Sequence, residues 1–459
     1  MSVMMDLLGA TRATAGTLTG ANRTFCGVAT DSRTIAPGEL FVALRGEHFD
    51  GHDYVAAAQA RGAAAAVVAG DVAPDLRALG LPLLEVGDTR LSLGALAADW
   101  RGRFTLPLIA VTGSNGKTTT KEMIASILKA AFGETILSTQ GNYNNDIGLP
   151  LTLLRLNATH RAAIIEMGMN HPGEIAYLAG IARPAVAVVT NAQRAHLAGM
   201  GSLEAIASEK GSIYSGLDEN GVAVFNADDP WADLWRGQSR GLRVMTFGFA
   251  QPADVTGKVC LHGLESRLGV VASSGQFEVL LALPGQHNAR NALAAATACL
   301  AAGVPLAAVQ EGLASFRGLP GRLQKRAARH GALLLDDSYN ANPDSVRAGI
   351  DVLAATIGKK ILVLGDMGEI GEMSAQFHDE IGGYAKSQGI DRLLALGEAS
   401  ALAAHNFGSG GEHYRQIDAL IDALLAELTA QTTVLVKGSR FMRMERVVEA
   451  ICVSSGEGG

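Results

Sequence analysis

The stretch Val111-Thr-Gly-Ser-Asn-Gly-Lys-Thr-Thr-Thr120 gathers the residue types that hold a phosphate chain. An apolar run, Leu106 to Val111, precedes it and reads as a buried strand. After it, Met123, Ile124, Ile127 and Leu128 recur at helical spacing over Lys121 to Ala131. A glycine-rich turn between strand and helix aims backbone N–H groups and a helix N-terminus at an anion. Gly113, Ser114, Asn115, Gly116 and Thr119 would form the cradle. Lys117 would reach the outer phosphates, and the Thr118 hydroxyl would ligate Mg²⁺. Val111 stands where the pattern G-x-x-x-x-G-K-[ST] has its first glycine, so this loop, starting at Gly113, is shorter. A chance Gly-Lys-Thr in a surface turn is the plain alternative. Strand, glycines and helix in the right order favour a nucleoside triphosphate site.

Other polar groups stand at the ends of apolar runs. Glu166 closes the run Ala162 to Ile165 and precedes Met167-Gly168; a carboxylate there reaches a metal at a neighbouring phosphate loop, or is simply a turn residue. His196 follows the run Val186 to Thr190, and adjacent strands would bring it to the same rim; a structural histidine is the ordinary reading of such a residue. Lys210, in Ser208-Glu-Lys-Gly-Ser-Ile-Tyr214, reads by itself as a solvated helix lysine. Asn288 and Asn291 lie one turn apart on the helix expected over Ala289 to Ala301, free to read a base or carboxamide unless Asn288 is a cap. Asp336 to Pro343 is a polar cluster after the strand Leu333 to Leu335, which fits a site or an Asx-rich turn.

The elements that must position these groups alternate strand and helix. A chain of 459 residues exceeds one core, and two to four domains are expected. Its texture divides at about 1–104, 105–317 and 318–459. The first part holds short strands at Gly38 to Leu44, Ala65 to Val68 and Leu83 to Val86, with Thr30-Asp-Ser-Arg33 in a turn. The last repeats a strand-then-glycine unit at Ile361 to Asp366, Arg392 to Gly397 and Thr433 to Gly438, with a helix from Ala375 to Lys386 and Ser374 as its cap candidate. This is an open α/β sheet that binds ligands at the carboxyl ends of its strands, without the G-x-G-x-x-G of a nicotinamide site. Hydrophobic residues make up 48% and charged ones 18%, as in ordinary globular chains, and a net charge of −7 argues against nucleic acid as a partner. Cys26, Cys260, Cys299 and Cys452 show no metal spacing and read as thiols of a reducing cytoplasm. Met1 to Thr19 lacks the pattern of a secretory signal, no apolar run has the roughly 20 residues of a bilayer span, and Ser454 to Gly459 reads as a disordered tail.

These pieces, in this order, resemble the Mur ligases, ATP-dependent amide-forming enzymes of peptidoglycan assembly. The motifs are Thr112 to Thr119, Gly141 to Pro150, Glu166-Met-Gly, His287-Asn-x-x-Asn291, Gly321-Arg322 and Asp337 to Pro343, spanning essentially the whole chain. Tyr339 to Ser345, Leu364 to Gly371 and Val436 to Arg440 resemble the branch that joins D-alanyl-D-alanine to UDP-N-acetylmuramoyl-tripeptide. The branch adding meso-diaminopimelate has Asp-Asn-Pro-Arg where this chain has Ala341-Asn-Pro-Asp344.

The resemblance implies three α/β domains: a small N-terminal uridine-nucleotide domain, a central P-loop ATPase domain with a parallel sheet, and a C-terminal Rossmann-like domain on the D-Ala-D-Ala side. It implies Thr118 and Glu166 as ligands of one Mg²⁺ and His196 as ligand of a second. Lys117, Lys210 and His196 are the implied catalytic set, with Lys210 carbamylated. Asn291, Arg322 and Asp337 would hold ATP. Ser32, Arg33, Asn142, Asn145, Asn340 and Asn342 would hold the sugar-peptide and dipeptide substrates. A cytoplasmic monomer without membrane anchor is implied. The nearest rival is another amide ligase of the superfamily, such as folylpolyglutamate synthase; a P-loop motor or switch is the rival from a different class.

Overall fold

The computed structural model describes residues 3–71 and 73–453. The tail expected at Ser454 to Gly459 lies outside the described residues. The first sheet has five strands in the spatial order Thr17–Thr19, Leu83–Val86, Ala65–Ala69, Leu40–Val42, Val28–Ala29. All its pairings are parallel except that of the Thr17–Thr19 edge.

The central sheet has nine strands. Its heart is Leu108–Thr112, paired in parallel with Ala162–Glu166 on one side and Val186–Val189 on the other. The runs are continuously apolar because both faces are covered. Leu108, Ala110, Ala163, Ile165, Ala187 and Val189 face a core completed by Ile175, Leu178 and Ala182 of the helix Glu174–Ala182. Ile109, Val111, Ala162, Ile164, Val186 and Val188 face the opposite core. There they meet Met123, Ile124, Ile127 and Leu128 of the helix Lys117–Phe132, and the alanine face of the helix Gln286–Ala301. Burying a Val, Leu or Ile stabilises by about 1.5–3 kcal/mol, so this double seal fixes where the strand ends lie.

Strict alternation of strand and helix fails between Arg243 and Leu281, where four strands run in succession and the last three form an antiparallel meander. The reason lies in the residues: Ser266, Leu268 and Val270 are buried while Glu265 and Arg267 are exposed, the period of a sheet with one wet face.

The third sheet has six strands ordered Gln324–Ala327, Leu333–Asp337, Thr432–Lys437, Lys359–Gly365, Arg392–Leu396, Gly411–Tyr414, all parallel except the first. Its three strand-glycine units are direct neighbours. Ser374 does not cap the helix Ser374–Ser387: it is the first helical residue, and its backbone carbonyl accepts from His378 Nδ1 at 2.7 Å. Among the described residues no helix is long and apolar enough to cross a membrane.

Candidate active site

Because the central strands are parallel, the residues that leave Leu108–Thr112, Ala162–Glu166 and Val186–Val189 share one rim. The loop Gly113 to Gly116 folds there as a turn that only glycine permits at its two ends. Gly113 has φ +150°, and a Cβ would lie 1.9 Å from Thr190 Oγ1. Gly116 has φ +80°, and a Cβ would lie 2.2 Å from Asn291 Oδ1. The close approach of Asn291 to the loop explains why a helix residue so far along the chain belongs to the site. Asn291 Nδ2 donates to Asn288 Oδ1 at 3.3 Å, and Asn288 Nδ2 donates to the Pro284 carbonyl at 2.8 Å. Asn288 therefore braces the helix start without capping it; Gly285 is the cap residue.

Lys117 opens the helix Lys117–Phe132, and its amine donates back to the carbonyls of Gly113 at 2.5 Å and Ser114 at 3.2 Å. Burial holds its pKa below the usual lysine value; Glu166 opposes that and Arg322 adds to it. Ser114 Oγ donates to the Gln193 carbonyl at 3.0 Å, and Asn115 Nδ2 donates to Gln193 Oε1 at 2.7 Å. Thr119 is buried, 6% exposed. Thr118 Oγ1 accepts from Arg322 Nη2 at 3.4 Å, and the Arg322 guanidinium lies 4.1 Å from the centre of the Tyr339 ring.

Glu166 is 2% exposed. One carboxylate oxygen accepts from Asn144 Nδ2 at 2.8 Å; the other, Oε2, is buried with no partner. An orphaned carboxylate oxygen beside a phosphate loop is the donor a divalent cation needs, because an unpaired buried anion is otherwise costly. Thr118 and Glu166 therefore fit one Mg²⁺. Among the described residues no three His, Cys, Asp or Glu side chains converge as a ready-made metal cluster, so phosphate oxygens would have to complete the shell. His196, with φ +61°, turns its Nδ1 to Glu369 Oε2 of the third domain, 2.9 Å away.

Lys210 is 1% exposed, not solvated as its helical context suggests. Burial and then the charge of Lys117 hold its amine well below the usual lysine range, against the pull of Glu209. Glu209 itself accepts from the Gly173 and Ile175 backbone N–H groups, both at 2.9 Å, at the start of the helix Glu174–Ala182.

The third domain brings the carboxyl ends of its own strands to the same space. Lys437, 2% exposed, donates to Asp337 Oδ2 at 2.5 Å and to the Asn340 carbonyl at 3.0 Å. Burial raises the Asp337 pKa, opposed by Lys437 and Arg322. Asn342 caps the helix Pro343–Ala354 through Ser345, and its Nδ2 donates to Asn115 Oδ1 at 2.7 Å.

Most of these groups, though not Glu209 and Lys210, line a cavity of about 760 Å³, within the usual range for ligand sites. It joins the phosphate loop, Glu166, His196, Asn291, Arg322 and Asp337 to Asn142, Asn145, Asn340 and Asn342. Asn145 spends its carbonyl oxygen on Gly148 N at 2.9 Å, which leaves its amide for a ligand. Lys210 is not on the cavity wall, and neither are Ser32 and Arg33. Arg33 is exposed and paired with Asp31, whose carboxyl it holds down at about 2.

Sequence reasoning missed Lys437, Asn144, Gln193 and Glu369 as site residues. A lysine ending an apolar strand, as Lys437 does after Thr432 to Val436, is a usable signal. Gln193 has none, because it acts through its backbone as much as its side chain.

A shortened phosphate loop facing a second, mostly parallel α/β sheet across one cavity defines a class: an ATP-using enzyme with a separate domain set over its phosphate loop. Comparison with known proteins gives the family. Three descriptions match along the chain: Mur ligase family catalytic domain over residues 24–101, Mur ligase middle domain over 111–299, and Mur ligase glutamate ligase domain over 321–440. The chain is 45% identical over 458 residues to the UDP-N-acetylmuramoyl-tripeptide--D-alanyl-D-alanine ligase of Escherichia coli (strain K12), covering 98% of each. It is similar to a crystal structure of MurF from Acinetobacter baumannii, at 34% identity and TM-score 0.89, covering 96% of this chain and 97% of that one. It is also similar to the MurF ligase of Thermotoga maritima in complex with ADP, at 29% identity and TM-score 0.79, covering 92% and 96%. The chain belongs to the Mur ligase family, in its UDP-N-acetylmuramoyl-tripeptide--D-alanyl-D-alanine ligase branch.

Proposed function

We propose that the chain joins D-alanyl-D-alanine to UDP-N-acetylmuramoyl-tripeptide at the expense of ATP, giving the UDP-linked pentapeptide, ADP and phosphate. The observation that carries this reading is the single cavity that runs from the phosphate loop, past the orphaned oxygen of Glu166, to Asn340 and Asn342 of the third domain. A carboxylate is a poor electrophile, so one of its oxygens first attacks the γ-phosphorus and ADP leaves. The dipeptide amine then attacks the acyl carbon of the resulting acyl phosphate. A proton is lost from nitrogen, and the tetrahedral centre expels phosphate to leave the amide.

The protein's part is positioning and charge. The phosphate-loop N–H groups and the helix start would hold the β- and γ-phosphates. Lys117, now bonded to its own loop, would turn to the γ-phosphate, where the negative charge favours its ammonium form. Mg²⁺ held by Thr118 and Glu166 would neutralise charge between two anions that otherwise repel. A second Mg²⁺ would take Nε2 of His196, with Glu369 on Nδ1 orienting the ring. Asn291, Arg322 and Asp337 would hold the nucleotide.

Carbamylation of Lys210 needs a neutral amine as nucleophile toward CO₂, and burial with Lys117 close by supplies one. The product would be an anion beside the cation of Lys117, an attraction in place of the repulsion that the ammonium form of Lys210 would suffer. A ¹³C carbamate resonance from protein equilibrated with ¹³CO₂, absent in Lys210→Ala, tests this.

The ligands divide over three units, residues 1–104 for the uridine nucleotide, 105–317 for ATP and 318–459 for the dipeptide, with Ser32 and Arg33 on the first. Gly318 to Gly321 would be the hinge, and closure would exclude water from the acyl phosphate. The reading includes a cytoplasmic, monomeric enzyme. Phosphate release in the presence of Mg-ATP, tripeptide nucleotide and D-Ala-D-Ala tests it, with the product mass rising by one dipeptide unit. Release from ATP alone would point to a motor or switch; release with single amino acids alone would overturn the branch.

A further inference from the structure

The loop Asn191 to His196 is stapled at both ends. At one end it holds the phosphate loop: Asn115 N donates to Asn191 Oδ1 at 2.9 Å, Ser114 Oγ to the Gln193 carbonyl at 3.0 Å, and Gln193 N to Ser114 Oγ at 2.9 Å. At the other end Arg194 grips the third domain. Its backbone N–H donates to Asp344 Oδ2 at 2.8 Å, and its Nε and Nη2 donate to Asp344 Oδ1 at 3.1 and 2.7 Å. Glu380 lies 3.4 Å from Nη1, and the guanidinium sits 5.1 Å from the centre of the Phe377 ring. Both members of the pair are only 22% exposed.

An exposed ion pair of this kind contributes little, but this one is forked, mostly shielded from water and braced by a ring. Asp344 is also in the first turn of the helix Pro343–Ala354, where a carboxylate is favoured. The residue two positions before it, Asn342, donates to Asn115 of the phosphate loop. One short loop thus reads the phosphate cradle and holds the helix that abuts it.

We propose that Arg194 and Asp344 form an interdomain clamp that couples filling of the phosphate loop to seating of the third domain, and so position the dipeptide for attack. They are assigned positioning roles, acting through the loop and the helix they hold, although Asp344 also borders the cavity. The inference rests on the ligase reading and adds to it a pair outside the nucleotide and metal contacts.

The test is a double-mutant cycle in the full chain, with Arg194→Ala, Asp344→Ala, the double variant, and Arg194→Lys as the conservative control. Each single alanine variant is expected to lower kcat/KM for D-Ala-D-Ala by about 10- to 100-fold, while the Kd of ATP measured by calorimetry weakens by a smaller factor, as reciprocity of the coupling requires. The double variant is expected to lose no more than the worse single one, and Arg194→Lys to recover part of the loss. X-ray scattering should show the parent compacting on Mg-ATP and the alanine variants compacting less. Losses that multiply in the double variant, single variants within about twofold of the parent, or an ATP Kd that weakens as much as kcat/KM would each overturn the clamp. A parent that releases no phosphate with tripeptide and dipeptide present would overturn the ligase reading instead, and the clamp would then stand or fall on the compaction alone.

Discussion

The two walls of the cavity are built differently. The central wall is fixed by backbone: a turn forced by Gly113 and Gly116, strand ends sealed between two cores, and an amine returned to its own loop. The closing wall is fixed by side chains that reach across domains: Arg194 to Asp344, His196 to Glu369, Arg322 to Thr118, Asn342 to Asn115. Backbone geometry and a sealed core cannot be released by a ligand, whereas pairs of side chains can exchange one partner for another. The first wall suits a phosphate chain that must be gripped the same way in every turnover; the second suits a domain that must open to admit a sugar peptide.

The sharpest way to break this contrast is at Lys117. Lys117→Ala should lower turnover by about 10³-fold or more while the thermal transition stays within a few degrees, since the amine bonds only its own loop. Near-normal turnover would remove the central wall from the chemistry. Gly116→Ala comes next. A methyl group there meets Asn291 and a strained φ, so ATP binding should weaken by about tenfold or more, and replacing Asn291 with Ala as well should recover part of it by opening space. Equal binding by Gly116→Ala and the parent would mean the cradle is not preformed.

Glu166→Gln separates function from stability. The orphaned Oε2 is buried with no hydrogen-bond partner, and Gln removes the carboxylate's charge while its remaining oxygen can keep the Asn144 bond. Activity should fall by about 10²-fold, and without nucleotide the melting temperature should hold or rise, because an amide left unpaired in that position costs less than a carboxylate charge left unpaired there. A fall in both would make Glu166 a structural residue.

How far the site could be read in advance follows the same division. Gly113 to Thr119, Glu166 and Asn291 were legible because each sits at the end of a run whose period or composition gives away its element. Arg194, Gln193 and Glu369 were not, because their partners lie far along the chain: Arg194 and Asp344 are 150 residues apart, and Asn115 and Asn342 are 227 apart. Only the packing of two sheets brings them together, and no local pattern encodes that. Lys210 was misjudged as solvated for a related reason. The helix Leu203–Gly211 shows weak amphipathicity, and its burial is imposed by neighbours. Asn342 and Asn145 were legible as polar loop residues, but their first duty here is capping and turn formation.

The smallest expected effect concerns protons, and two groups of the central domain, His287 on the cavity wall and Asp229 away from it, act in opposite senses. Burial, then the charges of Lys437 and Arg290, push His287 down to about 4 from 6.5. The unfolded chain therefore binds a proton that the folded one refuses, and stability falls as pH drops from about 6.5 towards 4. Burial pushes Asp229 up to about 6 from 3.8. Here the folded chain takes the proton first, so stability rises as pH drops from about 6 towards 3.8. Each displacement is worth roughly 2 kcal/mol once solvent screening is allowed for, and the two windows overlap almost entirely, so these two contributions nearly cancel in the parent. The variants should expose the hidden slopes. His287→Gln should become more stable on acidification over this range, and Asp229→Asn less stable, each by a few degrees in Tm. A flat profile in both variants would mean neither group is displaced. Matching slopes of the same sign would mean that acid acts mainly on the side-chain pairs of the closing wall.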